Sequence, residues 1–277
     1  MRAFGAVLVG LLVAFAVGRP ALAQTPELPA ALRGDAFRLE SAELGRGFDI
    51  YVRLPDGYDE EGPAYPVVYL LDGDSLFPIL AANHLFLAYD DRLPEAVVVG
   101  IAYGGFDRSV NRRHIDFQSP GEGVPEGEDG AEAFLAFLRS QVLPAIEGRF
   151  HVDPDRRVLF GQSRGGNLVL YSAVADPDLF WGRIASNPSL TPGLESVLAP
   201  AGPAQRDDLQ VVVTSGTRDR ADLREEAALW AGTWLGRTDA ERPWTVTPIT
   251  IEGGTHAANA GDAYRAAMNQ LFGPAQP

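Results

Sequence analysis

The chain contains no cysteine and no lysine. Without a thiol there is no disulfide, no cysteine nucleophile, no zinc-thiolate site and no iron–sulfur cluster. Without an amine side chain there is no Schiff-base lysine, no Ser-Lys dyad and no phosphate-binding lysine of the Walker A kind. All 23 cations are therefore arginines, set against 37 carboxylates, and the formal charge is −14. No basic block interrupts this acidic balance, so a nucleic-acid partner is not expected. Histidine is scarce as well, with four in the chain, which leaves few candidates for a general base. What the chain does have is length: 277 residues, 46% of them apolar, suffice for a sizeable core.

Arg2 precedes an apolar run from Ala3 to Val17, and Arg19-Pro20-Ala21-Leu22-Ala23 ends in a small-x-small pattern. A basic start, an apolar stretch and such an ending predict a secretory signal peptide over residues 1–23. Gln24 is then the expected mature N-terminus, and the destination periplasmic or secreted. The run is shorter than the roughly 20 residues of a membrane span. No span is expected after cleavage, with an uncleaved anchor as the alternative. Residues 24–34 read as a flexible leader, and 35–277 as one catalytic domain of unknown oligomeric state.

The domain alternates apolar β-type runs with amphipathic segments. That predicts an α/β fold, a mostly parallel sheet of about eight strands with helices on both faces. Residues 37–44 and 48–54 read as an antiparallel pair, and 66–71 and 96–103 as buried strands flanking a helix at 77–89. Phe134, Leu135, Leu138, Val142 and Ile146 recur at helical spacing within 131–150. A short strand at 157–160 precedes a helix at 165–175. Later strands are expected at 183–185, 209–214 and 244–251, with helices at 221–235 and 263–272. Residues 121–130 are rich in Gly and Glu without periodicity, a flexible excursion near the site that reads as a lid or as plain disorder. Trp230, Trp234, Phe180 and Trp181 read as core or rim aromatics.

Gly161-Gln162-Ser163-Arg164-Gly165-Gly166 falls between the 157–160 strand and the 165–175 helix. This is the G-x-S-x-G nucleophile elbow in the context it requires. The turn holds the serine in a strained conformation above the sheet, with a helix N-terminus aimed at it. A serine hydroxyl needs a base to take its proton. His84 lies in a helical pattern, His151 in a turn and His114 in an Arg-rich loop; only His256 follows Ser163, as the hydrolase order requires. The acid belongs after a strand between them. Asp219, which follows the apolar 211–213 run and Gly216, is the first choice, with Asp222, Glu225 and Glu226 as alternatives. Its task is to hold the imidazole tautomer and stabilise the imidazolium. An oxyanion hole needs two fixed N–H groups. The Arg164 amide supplies one; the Asp74 amide, or that of Gly73, supplies the other. The Asp74 side chain has the alternative of capping the following helix.

Taken together, Val68-Tyr69-Leu70-Leu71-Asp72-Gly73, Arg112, Asp116-Phe117, the elbow, Asn187-Pro188-Ser189-Leu190, Gly216, Asp219 and Gly254-Thr255-His256 resemble the putative-esterase family of α/β-hydrolases. That family includes the enterochelin and salmochelin siderophore esterases and the esterase-D-like enzymes. The likeness runs in order over residues 35 to 273. It implies an α/β-hydrolase fold and hydrolysis of small-molecule carboxylic esters by Ser163, His256 and an acid near Asp219, with no metal or organic cofactor. Two positions depart from the family's habit: Gln162 stands where a His usually precedes the nucleophile, and Thr191-Pro192 where an aromatic pair often follows. Arg112, Arg113 and His114, with Arg108, occupy a loop beyond a strand end, where sites form in open α/β sheets. They are candidate contacts for an anionic or catecholate-like substrate. Ion pairs with Asp107 or Asp116 are the plainer reading. Transfer of the acyl group to another alcohol, and a non-catalytic ligand-binding module, are the other functions this sequence admits.

Overall fold

A computed structural model describes residues 30–273. The expected signal peptide, and the leader as far as residue 29, lie outside the described residues. From residue 30 onward the leader is built into the domain: a 3-10 turn at Ala30–Leu32 leads directly into the first strand.

The elements run β1 (Gly34–Ser41), β2 (Arg46–Arg53), β3 (Tyr65–Leu70), α1 (Gly73–Asp90), β4 (Val97–Ala102) and α2 (Arg113–Asp116). They continue with α3 (Ala131–Phe137), a π-turn (Leu138–Val142), α4 (Leu143–Glu147), β5 (Val152–Gln162) and α5 (Arg164–Ala175). The last are β6 (Gly182–Ser186), α6 (Leu194–Val197), β7 (Leu209–Gly216), α7 (Ala221–Leu235), β8 (Trp244–Ile251) and α8 (Ala260–Phe272). The strands form one eight-stranded sheet in the order β1-β2-β4-β3-β5-β6-β7-β8. β2 is antiparallel to both β1 and β4; every other neighbour is parallel. This is the expected α/β-hydrolase fold.

The continuous apolar runs follow from burial on both faces. In β4, Val97, Val99 and Ile101 enter one core cluster while Val98 enters the other. Val67 and Tyr69 against Val68 and Leu70 in β3, and Val211 and Val213 against Val212 in β7, divide the same way. α1 and α8 cover one face through Leu80, Tyr264 and Met268; α3, α5 and α7 cover the other through Phe134, Leu168 and Trp230. Trp230 and Trp234 are core residues whose indole N–H groups both donate to the Val197 carbonyl at 3.0 Å. Among the described residues no helix is long and apolar enough to cross a membrane.

Arg183 and His84 are buried groups held by polar contacts. Arg183 in β6 is fully buried without a carboxylate on its guanidinium. It donates to Ser172 Oγ (2.9 Å) and to the carbonyls of Ser172, Asp176, Pro177 and Phe180 (2.7–3.2 Å), closing the C-terminal end of α5. Burial pushes its pKa down to about 9, with Asp176 and Asp178 opposing. His84 in α1 is also fully buried. Its Nε2 lies 3.2 Å from the Pro94 carbonyl and so carries the proton, which leaves Nδ1 to accept from Tyr264 Oη at 3.0 Å.

His84 gives the fold an acid-sensitive element. Burial, aided by Arg53, lowers its pKa to about 4. An unfolded His, near 6.5, binds a proton over the window from 6.5 to 4 that the native one refuses. The His84 contribution is therefore complete above pH 6.5 and is lost as the pH falls toward 4, a change of about 3 kcal/mol. Urea unfolding at pH 7 and at pH 4.5 measures it. His84→Gln is expected to be less stable at pH 7 yet to lack this part of the slope; an unchanged slope contradicts the assignment.

Candidate active site

The chain leaves β3 for β4 on one side and reaches β5 on the other, so a crevice opens at the carboxyl ends of β3 and β5. Open α/β sheets bind ligands at such a switch point. The loop after β3 and the turn after β5 both end there, and each starts a helix.

Ser163 stands between β5 and α5 with φ 58° and ψ −117°, a strained conformation for a side-chain-bearing residue. A Cβ on Gly161 would lie 2.3 Å from the Gly165 carbonyl oxygen, so only glycine fits there. At Gly165 the nearest atom to an added Cβ is Asp72 Oδ2 at 3.5 Å, an ordinary contact. The steric demand of the elbow thus falls on Gly161. The Ser163 N–H donates to the Ser186 carbonyl at 2.9 Å, and its own carbonyl accepts from Ser189 at 3.1 Å and Asn167 at 3.2 Å.

His256, on the loop after β8, places Nε2 2.9 Å from Ser163 Oγ. Its Nδ1 lies 3.0 Å from Asp219 Oδ2. A carboxylate only accepts, so Nδ1 carries the proton and the Nε2 lone pair faces the hydroxyl. The Asp219 side chain is 1% exposed and the His256 side chain 35%. Asp219 is set by the turn after β7: its N–H donates to the Gly216 carbonyl at 3.0 Å and its Oδ1 accepts from Arg220 N at 2.6 Å. The alternatives are occupied or remote. Asp222 pairs with Arg220 at the surface, Glu226 Oε2 accepts from Leu190 N at 2.7 Å and Thr191 N at 3.3 Å, and Glu225 is exposed on α7.

Gly73 and Asp74 open α1 and Arg164 opens α5, so their amides have no acceptor within their helices. Both positive helix ends meet at this crevice. A Cβ on Gly73 would come within 2.8 Å of the Ile101 backbone, which explains the glycine at this position. The Asp74 carboxylate makes no cap of α1; it accepts from Tyr103 N at 2.8 Å and Gly104 N at 2.9 Å and ties down the loop after β4. A hydroxyl facing a free imidazole nitrogen can attack an acyl carbon, and the amides at the starts of α1 and α5 are the candidates to stabilise its oxyanion.

Residues 41–272 match the model of the protein family described as "Putative esterase". The chain belongs to this esterase family. The ferri-bacillibactin esterase of Bacillus subtilis is 33% identical over 55% of this chain and 57% of its own length. The siderophore triacetylfusarinine C esterase of Aspergillus fumigatus is 32% identical over 56% of each. The chain thus aligns with little more than half the length of these curated relatives. Among solved structures, the siderophore hydrolase EstB from Aspergillus nidulans superposes with a TM-score of 0.74, 21% identity and coverage of 92% of this chain and 97% of that one. That likeness establishes the fold.

Around the esterase-family elbow, the arginines divide. Arg113 grips Asp72 with Nε at 2.6 Å and Nη2 at 2.9 Å, and reaches the Gln162 carbonyl at 3.4 Å. The expected partners Asp107 and Asp116 are engaged elsewhere, by Ser109 and by Arg46 with Tyr103 Oη. Opening α2, Arg113 turns back on the β3–α1 loop and joins it to the elbow, so its guanidinium is committed within the protein. Arg164 spends its guanidinium on Gln118 Oε1 and the His114 carbonyl. Arg112 is half-buried with a buried, unpartnered Nε. Burial lowers the pKa of His114, and Arg108, Arg112 and Arg164 lower it further against Glu128. This rim is locally positive on an acidic protein.

Two amides escaped the sequence reading. Gln162 donates to the His256 carbonyl. Asn187, at the end of β6, donates through Nδ2 to the carbonyls of Thr255 and His256 and to Asn259 Oδ1, all at 2.9 Å, and accepts from Gly216 N at 2.9 Å. Both lie in the motifs that carry the family resemblance, Gln162 where a His usually precedes the nucleophile and Asn187 at the head of Asn187-Pro188-Ser189-Leu190, but neither motif tells which carbonyls these amides meet.

Proposed function

We propose that the protein is an exported serine esterase that cleaves carboxylic esters of the siderophore class. The observation that carries this reading is the file of Ser163 Oγ, His256 and Asp219 with spacings of 2.9 and 3.0 Å. Ser163 Oγ attacks the ester carbonyl carbon while His256 Nε2 takes its proton. The carbonyl oxygen becomes an oxyanion facing the amides of Arg164 and of Asp74 or Gly73. The tetrahedral intermediate collapses, the C–O bond to the alcohol breaks, and His256 returns the proton to the leaving oxygen. Water then attacks the acyl-enzyme by the same sequence, releasing the acid and restoring Ser163. Asp219, buried, holds Nδ1–H throughout and stabilises the imidazolium.

The siderophore class is supported by the two curated relatives, whose substrates are siderophores, and by the positive rim. With Arg113 bound to Asp72, anion contact falls to Arg112, beside His114 and Arg108. Charge-assisted bonds of this kind are worth about 1.5–3 kcal/mol. In Arg112→Gln, the ratio of kcat/KM for an iron-loaded, anionic tris-catecholate trilactone to that for neutral p-nitrophenyl butyrate is expected to fall about tenfold. The effect shrinks between about 0.01 M and 1 M salt, as the screening length drops from about 30 Å to 3 Å. An unchanged ratio rules out the anionic contact. Failure of the wild type to hydrolyse any siderophore ester, catecholate or hydroxamate, while cleaving p-nitrophenyl butyrate rules out the siderophore class. Export is tested by N-terminal sequencing of the periplasmic protein, where Gln24 is the expected first residue.

A further inference from the structure

His256 lies on a stretch with little apolar anchorage of its own. Gly253 and Gly254 precede it, and Ala257 and Ala258 after it are exposed. The backbone is held instead by side-chain amides. The His256 carbonyl accepts from Gln162 Nε2 and from Asn187 Nδ2, and the Thr255 carbonyl accepts from the same Asn187 nitrogen. The other end of the Asn187 amide accepts the Gly216 N–H, which holds the turn leading to Asp219. One planar group therefore touches both the stretch carrying the imidazole and the turn carrying the carboxylate. The second amide belongs to the residue that immediately precedes Ser163.

The residue types fit this task. An amide offers a donor and an acceptor on one rigid plane, which a hydroxyl or carboxylate cannot match against two carbonyls and an N–H. Asn187 also has φ 42°, in the left-handed region that Asn tolerates better than most residues. Gln162 Oε1 is buried without a partner among the described residues, so that side chain bonds through its N–H alone.

We infer that Gln162 and Asn187 are positioning residues: a two-amide clamp on the His256 carbonyl that fixes the imidazole against Ser163 and Asp219. The inference rests on the reading of His256 as the base. Loss of one arm lets the stretch shift by a fraction of an ångström to about 1 Å, and misplacement on that scale costs up to about 10²-fold in rate.

The test uses Gln162→Met, which keeps the shape and removes the donor, and Asn187→Asp, which sets a carboxylate oxygen against three acceptor oxygens. In each, kcat for p-nitrophenyl butyrate is expected to fall about 10- to 100-fold with KM within about threefold of wild type. The double variant loses less than the product of the single losses, because both arms hold one carbonyl. Gln162→His, whose Nε2–H reaches about as far as the glutamine amide, restores most of the loss. Unchanged kcat in folded Gln162→Met, a loss carried by KM, or a lowered melting temperature with kcat intact each overturns the clamp. Should Asn187→Asp not fold, Gln162→Met and Gln162→His decide the matter alone. Full activity in His256→Ala removes the base itself and the clamp with it. An inactive His256→Ala beside a fully active Gln162→Met removes only the clamp.

Discussion

Ser163→Ala is expected to lower kcat for p-nitrophenyl butyrate by about 10⁵- to 10⁶-fold, and His256→Ala by about as much. The two losses do not add. Serine without a base is a weak nucleophile, and a base without the serine has only water to activate, so the double variant resembles either single one. Residual turnover some way above the uncatalysed rate is expected in all three, because the amides at the starts of α1 and α5 and the crevice remain. KM changes little, since the hydroxyl adds little to ground-state binding. Stopped-flow or long-time absorbance at 405 nm measures the rates. Wild-type turnover in either single variant would refute the assignment of roles.

Asp219→Asn is expected to lower kcat by about 10⁴-fold with the backbone unchanged. The amide presents either a nitrogen to His256 Nδ1 or a neutral oxygen. The first inverts the tautomer and turns Nε2 into a donor toward Ser163; the second removes the charge that stabilises the imidazolium. Glu225→Gln and Asp222→Asn are expected to stay within twofold of wild type, because neither carboxylate meets the imidazole. A deep loss in Glu225→Gln with an active Asp219→Asn would move the acid to α7.

Groups defined by chemistry and chain order were legible in the sequence. A serine in a glycine-flanked turn, the single histidine downstream of it and a carboxylate after a Gly turn are recognised by type. They meet because the strands carrying them run in parallel order, β5, β6, β7 and β8, and release their loops at one edge. The apolar cores of β3, β4 and β7 were equally plain, since two buried faces leave continuous apolar runs, whereas β8, at the sheet edge, alternates buried and exposed residues. Element ends were less plain. β5 begins at Val152, well before the expected strand, because Asp153, Pro154, Asp155 and Arg156 hide a segment that pairs with β3 only at Val152 before its register shifts. α1 starts at Gly73 because Asp72 takes a left-handed conformation, φ 54°, that turns the chain straight into the helix. The 131–150 helix instead ends at Glu147 and passes through a π-turn, which no apolar spacing announces.

The polar ties were not legible for a different reason. Arg113 to Asp72, Glu226 to the Leu190 amide and Asn187 to His256 join residues 41, 36 and 69 positions apart. Asp, Glu, Asn and Arg in loops look alike until the fold chooses their partners. Arg113 therefore read as a substrate contact or a partner of Asp116, and Glu226 as a candidate acid.

The most direct test of the Ser163–His256 pairing is to treat the protein with a fluorophosphonate, digest it with trypsin and locate the adduct by mass spectrometry. With no lysine in the chain, trypsin cuts only after arginine and releases residues 158–164, a peptide in which Ser163 is the one hydroxyl-bearing residue. One adduct on that peptide, abolished in Ser163→Ala and formed far more slowly in His256→Ala, is the expected result. An adduct on any other peptide, or undiminished labelling speed in His256→Ala, would contradict it.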